Sequence, residues 1–208
     1  MIFFRKDSRE YEKKINYAVF PALQGGPHEH QIAGVATQLK EVMTPEFRSY
    51  AKAVRANARA VAAALTARGY TMATGGTDNH LVLWDLRPTG ITGSKFEKLA
   101  DACSITVNKN SVFGDRSAVS PGGVRIGAPA LTTRGMGEAD FQQIATFLHE
   151  VVVICKKIQG DVSDMKLVDF VAAIKGREDV AALKAAVETF AKAFPMPGFD
   201  VAEMECRD

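Results

Sequence analysis

The chain has 208 residues, enough for one or two domains with a real hydrophobic core. Its composition, 47% hydrophobic and 24% charged, is typical of a globular protein, and a net charge of +2 does not indicate binding to nucleic acid or to a membrane surface. The three cysteines, Cys103, Cys155 and Cys206, are far apart and form no disulfide framework, which indicates a reducing compartment. No apolar run reaches the roughly 18 residues of a membrane-spanning helix, and the charges at residues 5–7 exclude a signal peptide.

The N-terminal part of the chain combines a short apolar run with a glycine turn ahead of a helix. Residues 2–5 predict a strand, and a strand that opens a chain without neighbours suggests a piece of a longer protein. Gly25 and Gly26 precede Pro27 and a helix that we expect over residues 28–43. This turn can be a plain connection or, because anions are favoured at a helix N-terminus, a phosphate-binding turn.

Two histidines lie at the start of the same helix. His28 and His30 form an H-x-H pair, but a metal site needs at least a third ligand with suitable geometry. No cysteine or acidic cluster is placed to supply that ligand. We therefore expect surface or hydrogen-bonded histidines and no metal.

A long amphipathic helix follows, over residues 44–69. Thr44 is a good N-cap, Pro45 suits the first helical position, and Glu46 adds an acidic side chain to the first turn. Apolar residues then recur at helical spacing until Gly69, a typical C-terminal stop. We expect this helix to be scaffold.

The hydrophobic period then changes from helical to strand-like. Strands are expected at residues 70–73, 80–86 and 105–107, with a helix over 94–102, which indicates a small α/β layer. The last strand leads into a polar segment at residues 108–111. That segment can be a solvated turn or a ligand-binding loop.

The most informative stretch is SPGGVRIGAPALTTRG at residues 120–135. A Pro-Gly-Gly turn leads into an apolar run that contains Arg125, and such a run bounded by glycine and proline predicts a strand. A charged side chain in this setting must pair with a carboxylate of the protein or bind an anion. Both alternatives stay open on the pattern alone. Three further helices are expected over residues 141–155, 165–175 and 178–194.

Four segments closely resemble serine hydroxymethyltransferase. They are AVFPALQGGPHEH (18–30), GGTDNHLVLWD (75–85), SITVNKNS (104–111) and GGVRIGAPALTTRG (122–135). The resemblance covers the chain to about residue 159 and implies an α/β fold of the fold-type I pyridoxal-phosphate transferases. It implies three parts, namely residues 1–43 as the end of the large cofactor-binding domain, 44–69 as an interdomain helix, and 70–208 as the small C-terminal domain with a helical tail.

The resemblance also implies an activity and its residues. The family transfers the hydroxymethyl carbon of serine to tetrahydrofolate, giving glycine and 5,10-methylenetetrahydrofolate, with pyridoxal 5′-phosphate as cofactor. Arg125 matches the arginine that binds the amino-acid carboxylate. Gly25 and Gly26 match the turn that reaches the cofactor phosphate of a neighbouring subunit, which implies a homodimer or tetramer. Asn110 matches a residue that contacts the folate pterin, and Ser117 matches a second folate contact.

The chain departs from the family pattern in three ways, the smallest of which is Ala22 in place of a common glycine. Phe113 stands where the family usually has proline, so this loop can differ. The family's Schiff-base lysine lies in a Thr-His-Lys phrase upstream of the segment matched by residues 2–5. We therefore expect that lysine, the histidine that stacks on the cofactor ring and the aspartate that pairs with its pyridinium to precede Met1, and the chain alone to be inactive. The compartment, cytoplasmic or mitochondrial, would depend on the same missing N-terminus.

A second hypothesis is a non-catalytic, truncated paralogue that acts as an assembly or regulatory subunit. The coding sequence upstream of Met1 distinguishes it from the first hypothesis. In both cases residues 2–5 and the apolar face of residues 28–43 would lack packing partners. We therefore expect exposed apolar surface and a tendency to associate.

Overall fold

A computed structural model describes residues 2–116, 119–160 and 165–198, together with Asp200 and Glu203. The chain divides into two compact units, Met1–Phe47 and Arg48–Asp208. The assignment of residues 1–43, 44–69 and 70–208 to the three parts of the family stays a prediction.

The first unit is helical, and none of its described residues, 2–47, is buried. It contains helix α1, Tyr11–Tyr17, a π-helical segment, Ala18–Leu23, and helix α2, Glu29–Val42. None of these three elements contains a buried residue. Helix α2 lies where the sequence predicts it.

The prediction of a strand at residues 2–5 is wrong. These residues adopt no regular secondary structure and join no sheet in the described part of the chain. The physical reason is that an apolar run becomes a strand only when a neighbouring strand accepts and donates its backbone hydrogen bonds. No such neighbour is described here.

The expected exposure of apolar residues in this unit is confirmed. Phe3 is 89% exposed, and Ile32, Val35 and Leu39, which recur along α2 at helical spacing, are 50–55% exposed. A contiguous apolar face of this kind is typical of a surface that another chain or segment covers. The tendency to associate stays a prediction.

Helix α3, Pro45–Ala67, begins and ends as the sequence predicts. The Thr44 hydroxyl accepts a hydrogen bond from the backbone N–H of Phe47 at 3.2 Å, which is the N-cap interaction. Gly69 has a φ of +85°, the left-handed conformation that ends many helices. One face of α3 is buried, through Val54, Asn57, Ala58, Val61, Ala62 and Leu65.

The second unit is built on a four-stranded antiparallel sheet with the order β1-β2-β4-β3. The strands are β1, Thr71–Met72, β2, Leu81–Asp85, β3, Asn108–Asn110, and β4, Gly123–Gly127. The sequence placed the third strand at residues 105–107 and a polar loop after it. That assignment is wrong, because the polar residues themselves form the ladder with β4.

Five α-helices are described in this unit besides α3. They are α4, Gly93–Ala102, α5, Pro129–Thr133, α6, Glu138–Gln159, α7, Leu167–Ile174, and α8, Glu178–Lys192. All but the short α5 were predicted. Helix α4 packs against β3, β4, α6 and α7. At the centre of the core, the Trp84 ring lies 5.2 Å from the Phe96 ring and 4.7 Å from the Tyr70 ring.

Cys103 and Cys155 are buried in this core. Burial raises the pKa of the Cys103 thiol to about 11 and also raises the pKa of Cys155, so neither is a reactive thiolate. Within the described residues, no helix combines the length and the apolar character needed to cross a bilayer.

Gly123 is required where β4 passes between its neighbours. A Cβ atom at this position would lie 2.7 Å from the Trp84 carbonyl oxygen and 2.7 Å from Cγ1 of Val112. At Gly127, in the same strand, the nearest atom would be Cδ of Pro129 at 3.8 Å, an ordinary contact.

We therefore expect Gly123→Ala to lower the free energy of unfolding by about 1–3 kcal/mol, because the sheet must shift to admit the methyl group. Denaturant titration followed by circular dichroism measures this. Gly127→Ala is the matched control and should change the value much less. Equal losses in the two variants would contradict the packing argument.

Candidate functional site

Strand β4 separates a buried face of the sheet from an open one. Val124 and Ile126 are buried against the helices, whereas Arg125 between them is exposed. This is the two-residue alternation of a strand with one face on the core. The apolar neighbours of Arg125 in the sequence therefore lie on the opposite side of the sheet from its guanidinium.

Arg125 lies in β4, which has a neighbouring strand on each side. It pairs with Leu83 of β2 on one side and with Asn108 of β3 on the other. In the part of the chain that the structure describes, its guanidinium makes no hydrogen bond and no ion pair. Of the two alternatives that the sequence left open, the internal ion pair is therefore not formed among these residues, and the cation is open to an anion.

Asn110 lies on the same open face. Asn108 pairs with Arg125 and Asn110 pairs with Gly123, so Asn110 is the diagonal neighbour of Arg125 across the β3–β4 ladder. Diagonal neighbours in such a ladder are about 7–8 Å apart. The sheet therefore brings two of the predicted site residues together, although they are far apart in the sequence.

The Asn110 amide is only partly used within the protein. Its Nδ2 group donates a hydrogen bond to the Ser111 carbonyl at 2.8 Å. Its Oδ1 atom accepts none from the residues with described positions. The side chain is partly exposed and therefore presents a free acceptor to a ligand.

Sequence reasoning missed an ion cluster beside Asn110. Asp85 pairs with Gly123, as Asn110 does from the other side. Arg87 donates several hydrogen bonds to the Asp85 carboxylate, among them Nε to Oδ1 at 3.0 Å and Nη2 to Oδ2 at 2.7 Å. These hydrogen bonds hold the pKa of Asp85 below its ordinary value. The only sequence signal is the Asp-Leu-Arg spacing, which is common and weak.

Asp115 completes this cluster and is almost buried, with a side chain 9% exposed. Its Oδ2 atom accepts hydrogen bonds from the backbone N–H of Gly122 at 2.8 Å and of Val112 at 2.9 Å. These two bonds hold the pKa of Asp115 below its ordinary value. Arg87 Nη1 lies 3.8 Å from Asp115 Oδ1 and adds a weaker attraction.

Two other residues belong to the same loop. Phe113, which stands where the family usually has proline, is completely exposed. Ser117 lies outside the described residues, so its assignment as a folate contact stays a prediction.

Gly25 and Gly26 lie in the first unit. A Cβ atom at either glycine would meet no atom within 4 Å, and both are exposed. They border an open groove of about 700 Å³ along α2. No side chain caps the first turn of α2, so its backbone N–H groups are open to an anion.

The histidine pair begins the same helix. The His28 and His30 rings are stacked with their centroids 5.9 Å apart. The described residues contain no group of three or more histidine, cysteine, aspartate or glutamate side chains that could hold a metal ion.

A family model for serine hydroxymethyltransferase matches residues 2–148. This chain belongs to that family. The family has the fold-type I architecture of pyridoxal-phosphate transferases, and the helices and small sheet of the second unit agree with its α/β class.

Curated relatives match the whole chain closely. Serine hydroxymethyltransferase 4 of Arabidopsis thaliana is 52% identical over 100% of this chain and 46% of its own length. The cytosolic enzyme of Oryctolagus cuniculus is 48% identical over 95% of the chain and 44% of its own length. Serine hydroxymethyltransferase of Bombyx mori is 46% identical over 96% of the chain and 46% of its own length. The chain thus spans about half the length of these relatives.

The hydrogen bonds of Asp115 generate a prediction about pH. A carboxyl group whose pKa is lower in the folded chain stabilises the fold above its ordinary pKa, 3.8, and loses this contribution as the pH falls through the folded value. We expect the free energy of unfolding at pH 7 to be larger for the native chain than for the Asp115→Asn variant. This difference should shrink below pH 3.8.

Denaturant titrations between pH 7 and pH 3 measure this difference. Asp101→Asn is the control, since Asp101 is exposed and lies 3.8 Å from Lys98 in a surface pair of little energetic weight. A difference for Asp115→Asn that grows towards acid pH would contradict the role of the ionised carboxylate.

Proposed function

We propose that this chain supplies the carboxylate-binding and folate-binding side of a pyridoxal-phosphate-dependent serine hydroxymethyltransferase. The observation that carries the proposal is the exposed Arg125 guanidinium, which has no partner among the described residues and lies on the open face of the sheet in a member of this family. The reaction proposed for the whole protein moves a one-carbon unit from serine to tetrahydrofolate. Glycine and 5,10-methylenetetrahydrofolate are the products.

Arg125 would bind the carboxylate of serine or glycine. Its planar guanidinium can donate two parallel hydrogen bonds to the two carboxylate oxygens, which fixes the orientation of the amino acid as well as its position. Because Arg125 lies in the middle of β4, which is paired on both sides, its backbone is held in place by the sheet. A rigidly placed cation of this kind lowers the entropic cost of reaching the reactive geometry.

Asn110 would contact the folate. Its free Oδ1 atom can accept a hydrogen bond from an N–H group of a pterin ring, and Ser117 would add a second contact on the strength of the resemblance. A one-carbon transfer requires the two substrates to be close. The diagonal placement of Asn110 and Arg125 on one sheet face supports this requirement.

The glycine turn would receive the cofactor phosphate. The open space at Gly25 and Gly26 and the uncapped N-terminus of α2 fit a phosphate, since backbone N–H groups can approach it without obstruction. Pyridoxal phosphate, when bound, supplies an electron sink for the bond-breaking at the amino acid. Following the resemblance, this phosphate would belong to a neighbouring subunit, so we propose a homodimer or tetramer with shared sites.

The lysine that would carry the cofactor is proposed to lie in the part of the protein that this chain does not span. The exposed apolar residues of the first unit support a larger assembly, because they would be covered there. For the compartment we propose the cytosol or an organelle. Relatives are named as cytosolic and as chloroplastic.

The role of Arg125 can be tested in a chimaera. Residues 1–208 replace the matching part of Arabidopsis serine hydroxymethyltransferase 4, which is 52% identical over this whole chain. We expect Arg125→Lys to raise the KM for serine roughly 10- to 150-fold, because lysine cannot form the paired hydrogen bonds. The KM for tetrahydrofolate should change little.

Arg68→Lys is the matched control. Arg68 donates hydrogen bonds to the Ala64 carbonyl and the Thr146 hydroxyl on the helical side of the unit, so its replacement should leave both constants unchanged. An inactive chimaera, or an Arg125→Lys variant with an unchanged KM for serine, would overturn the proposal.

The coding sequence upstream of Met1 provides a separate test. Under the proposed function we expect an in-frame segment that encodes a Thr-His-Lys phrase shortly before residues 2–5. Sequencing of the transcript decides this. A stop codon or an unrelated segment would favour the non-catalytic, truncated paralogue.

A further inference from the structure

The loop between β3 and β4 begins at the proposed folate contact. It leaves the sheet after Asn110 and returns at Gly122, and residues 111–116 form its first half. Val112 anchors this half in the protein, being only 5% exposed, whereas the next residue, Phe113, is fully exposed. The loop therefore turns sharply from the core to solvent beside Asn110.

Asp115 closes this loop onto itself. One oxygen of its carboxylate accepts the backbone N–H of Val112, near the start of the loop, and that of Gly122, at its end. The Asp115 backbone N–H also donates to the Val112 carbonyl at 3.0 Å. A single side chain thus joins both ends of the loop.

Arg87 connects this loop to β2 through hydrogen bonds. Its Nη1 group donates to the Phe113 carbonyl at 3.0 Å, while Nε and Nη2 grip Asp85 at the end of β2. The stem of Arg87 passes over Gly122, where a Cβ atom would lie 2.5 Å from Cγ of Arg87. The absence of a side chain at residue 122 is therefore what lets Arg87 reach across.

Stability alone does not account for this arrangement. Arg87 is 43% exposed at its side chain, and exposed ion pairs contribute little to folding stability. Its Nη1 hydrogen bond to the Phe113 carbonyl holds the backbone three residues after Asn110, and Asp115 holds the Val112 N–H one residue earlier. Since the Asn110 amide donates a hydrogen bond to the Ser111 carbonyl, a displacement of that carbonyl would change the orientation of the amide.

We propose that Arg87 and Asp115 are positioning residues that hold residues 111–116 in place and thereby set the affinity of the proposed folate site at Asn110. The inference rests on the proposed function, which assigns folate to Asn110. Neither residue touches the ligand. Each acts through the loop backbone and the orientation of the Asn110 amide.

The first test uses the 208-residue chain and chymotrypsin. We expect the bond after Phe113 to be cut mainly when the loop opens, because Arg87 holds the Phe113 carbonyl. We expect Arg87→Lys to accelerate cleavage after Phe113 about tenfold or more, since lysine cannot replace the forked hydrogen bonds. Cleavage after Phe3, which is 89% exposed in the other unit, is the internal standard and should not change.

Quantitative mass spectrometry of the two cleavage products gives both rates. Asp115→Asn is the second variant, because it keeps the shape of the side chain and removes its charge, and it should accelerate the same cleavage. Arg68→Lys is the control and should leave it unchanged. Unaltered cleavage after Phe113 in both Arg87→Lys and Asp115→Asn would overturn the proposal.

The second test separates positioning from general stability. In the active chimaera, Arg87→Lys should raise the KM for tetrahydrofolate about tenfold and leave the KM for serine unchanged, the reverse of the pattern expected for Arg125→Lys. Equal rises in both constants would show a merely structural role and overturn the proposal. An inactive chimaera refutes the proposed function instead, and accelerated cleavage after Phe113 would then still establish that Arg87 holds the loop.

Discussion

The pairing of β4 with β2 on one side and β3 on the other determines where the candidate residues of these three strands lie. Arg125, Asn110 and Asp85 come from three strands, and the antiparallel register sets them in adjacent positions of one face. A slip of one residue would turn Arg125 into the core and Val124 into solvent. The burial of Val124 and Ile126 therefore protects the geometry of the polar face as much as the stability of the sheet.

Close backbone approach makes this register possible. Gly93, in the first turn of α4, lies so near β4 that a Cβ atom there would be 2.2 Å from the Gly123 carbonyl oxygen. Gly122 and Gly123 admit Arg87 and the Trp84 backbone in the same way. The role of these three glycines is to save space and not to provide flexibility. They let a helix, a strand and an ion cluster meet at the point where the loop beside Asn110 returns to the sheet.

The two units differ in how complete they are. The second has a continuous core around Trp84 and Phe96, whereas the helices of the first bury none of their residues and expose an apolar face on α2. A helical segment without buried surface gains little free energy from folding. This contrast agrees with a chain that spans about half the length of its relatives.

The sequence by itself determined most of the helices, the two ends of α3 and the family. Apolar spacing, Thr44 before Pro45 and the glycine at position 69 are local signals, and local hydrogen bonds satisfy them. It also singled out Arg125 as a cation that needs a partner, but not whether the protein supplies one. Only the tertiary structure shows that no described residue pairs with the Arg125 guanidinium. It also places the third strand at Asn108–Asn110 instead of residues 105–107 and leaves residues 2–5 without a sheet. Finally, it brings Asp85, Arg87 and Asp115 together. The physical reason is that strand pairing and ion clusters join residues distant in the chain, so no local pattern specifies them.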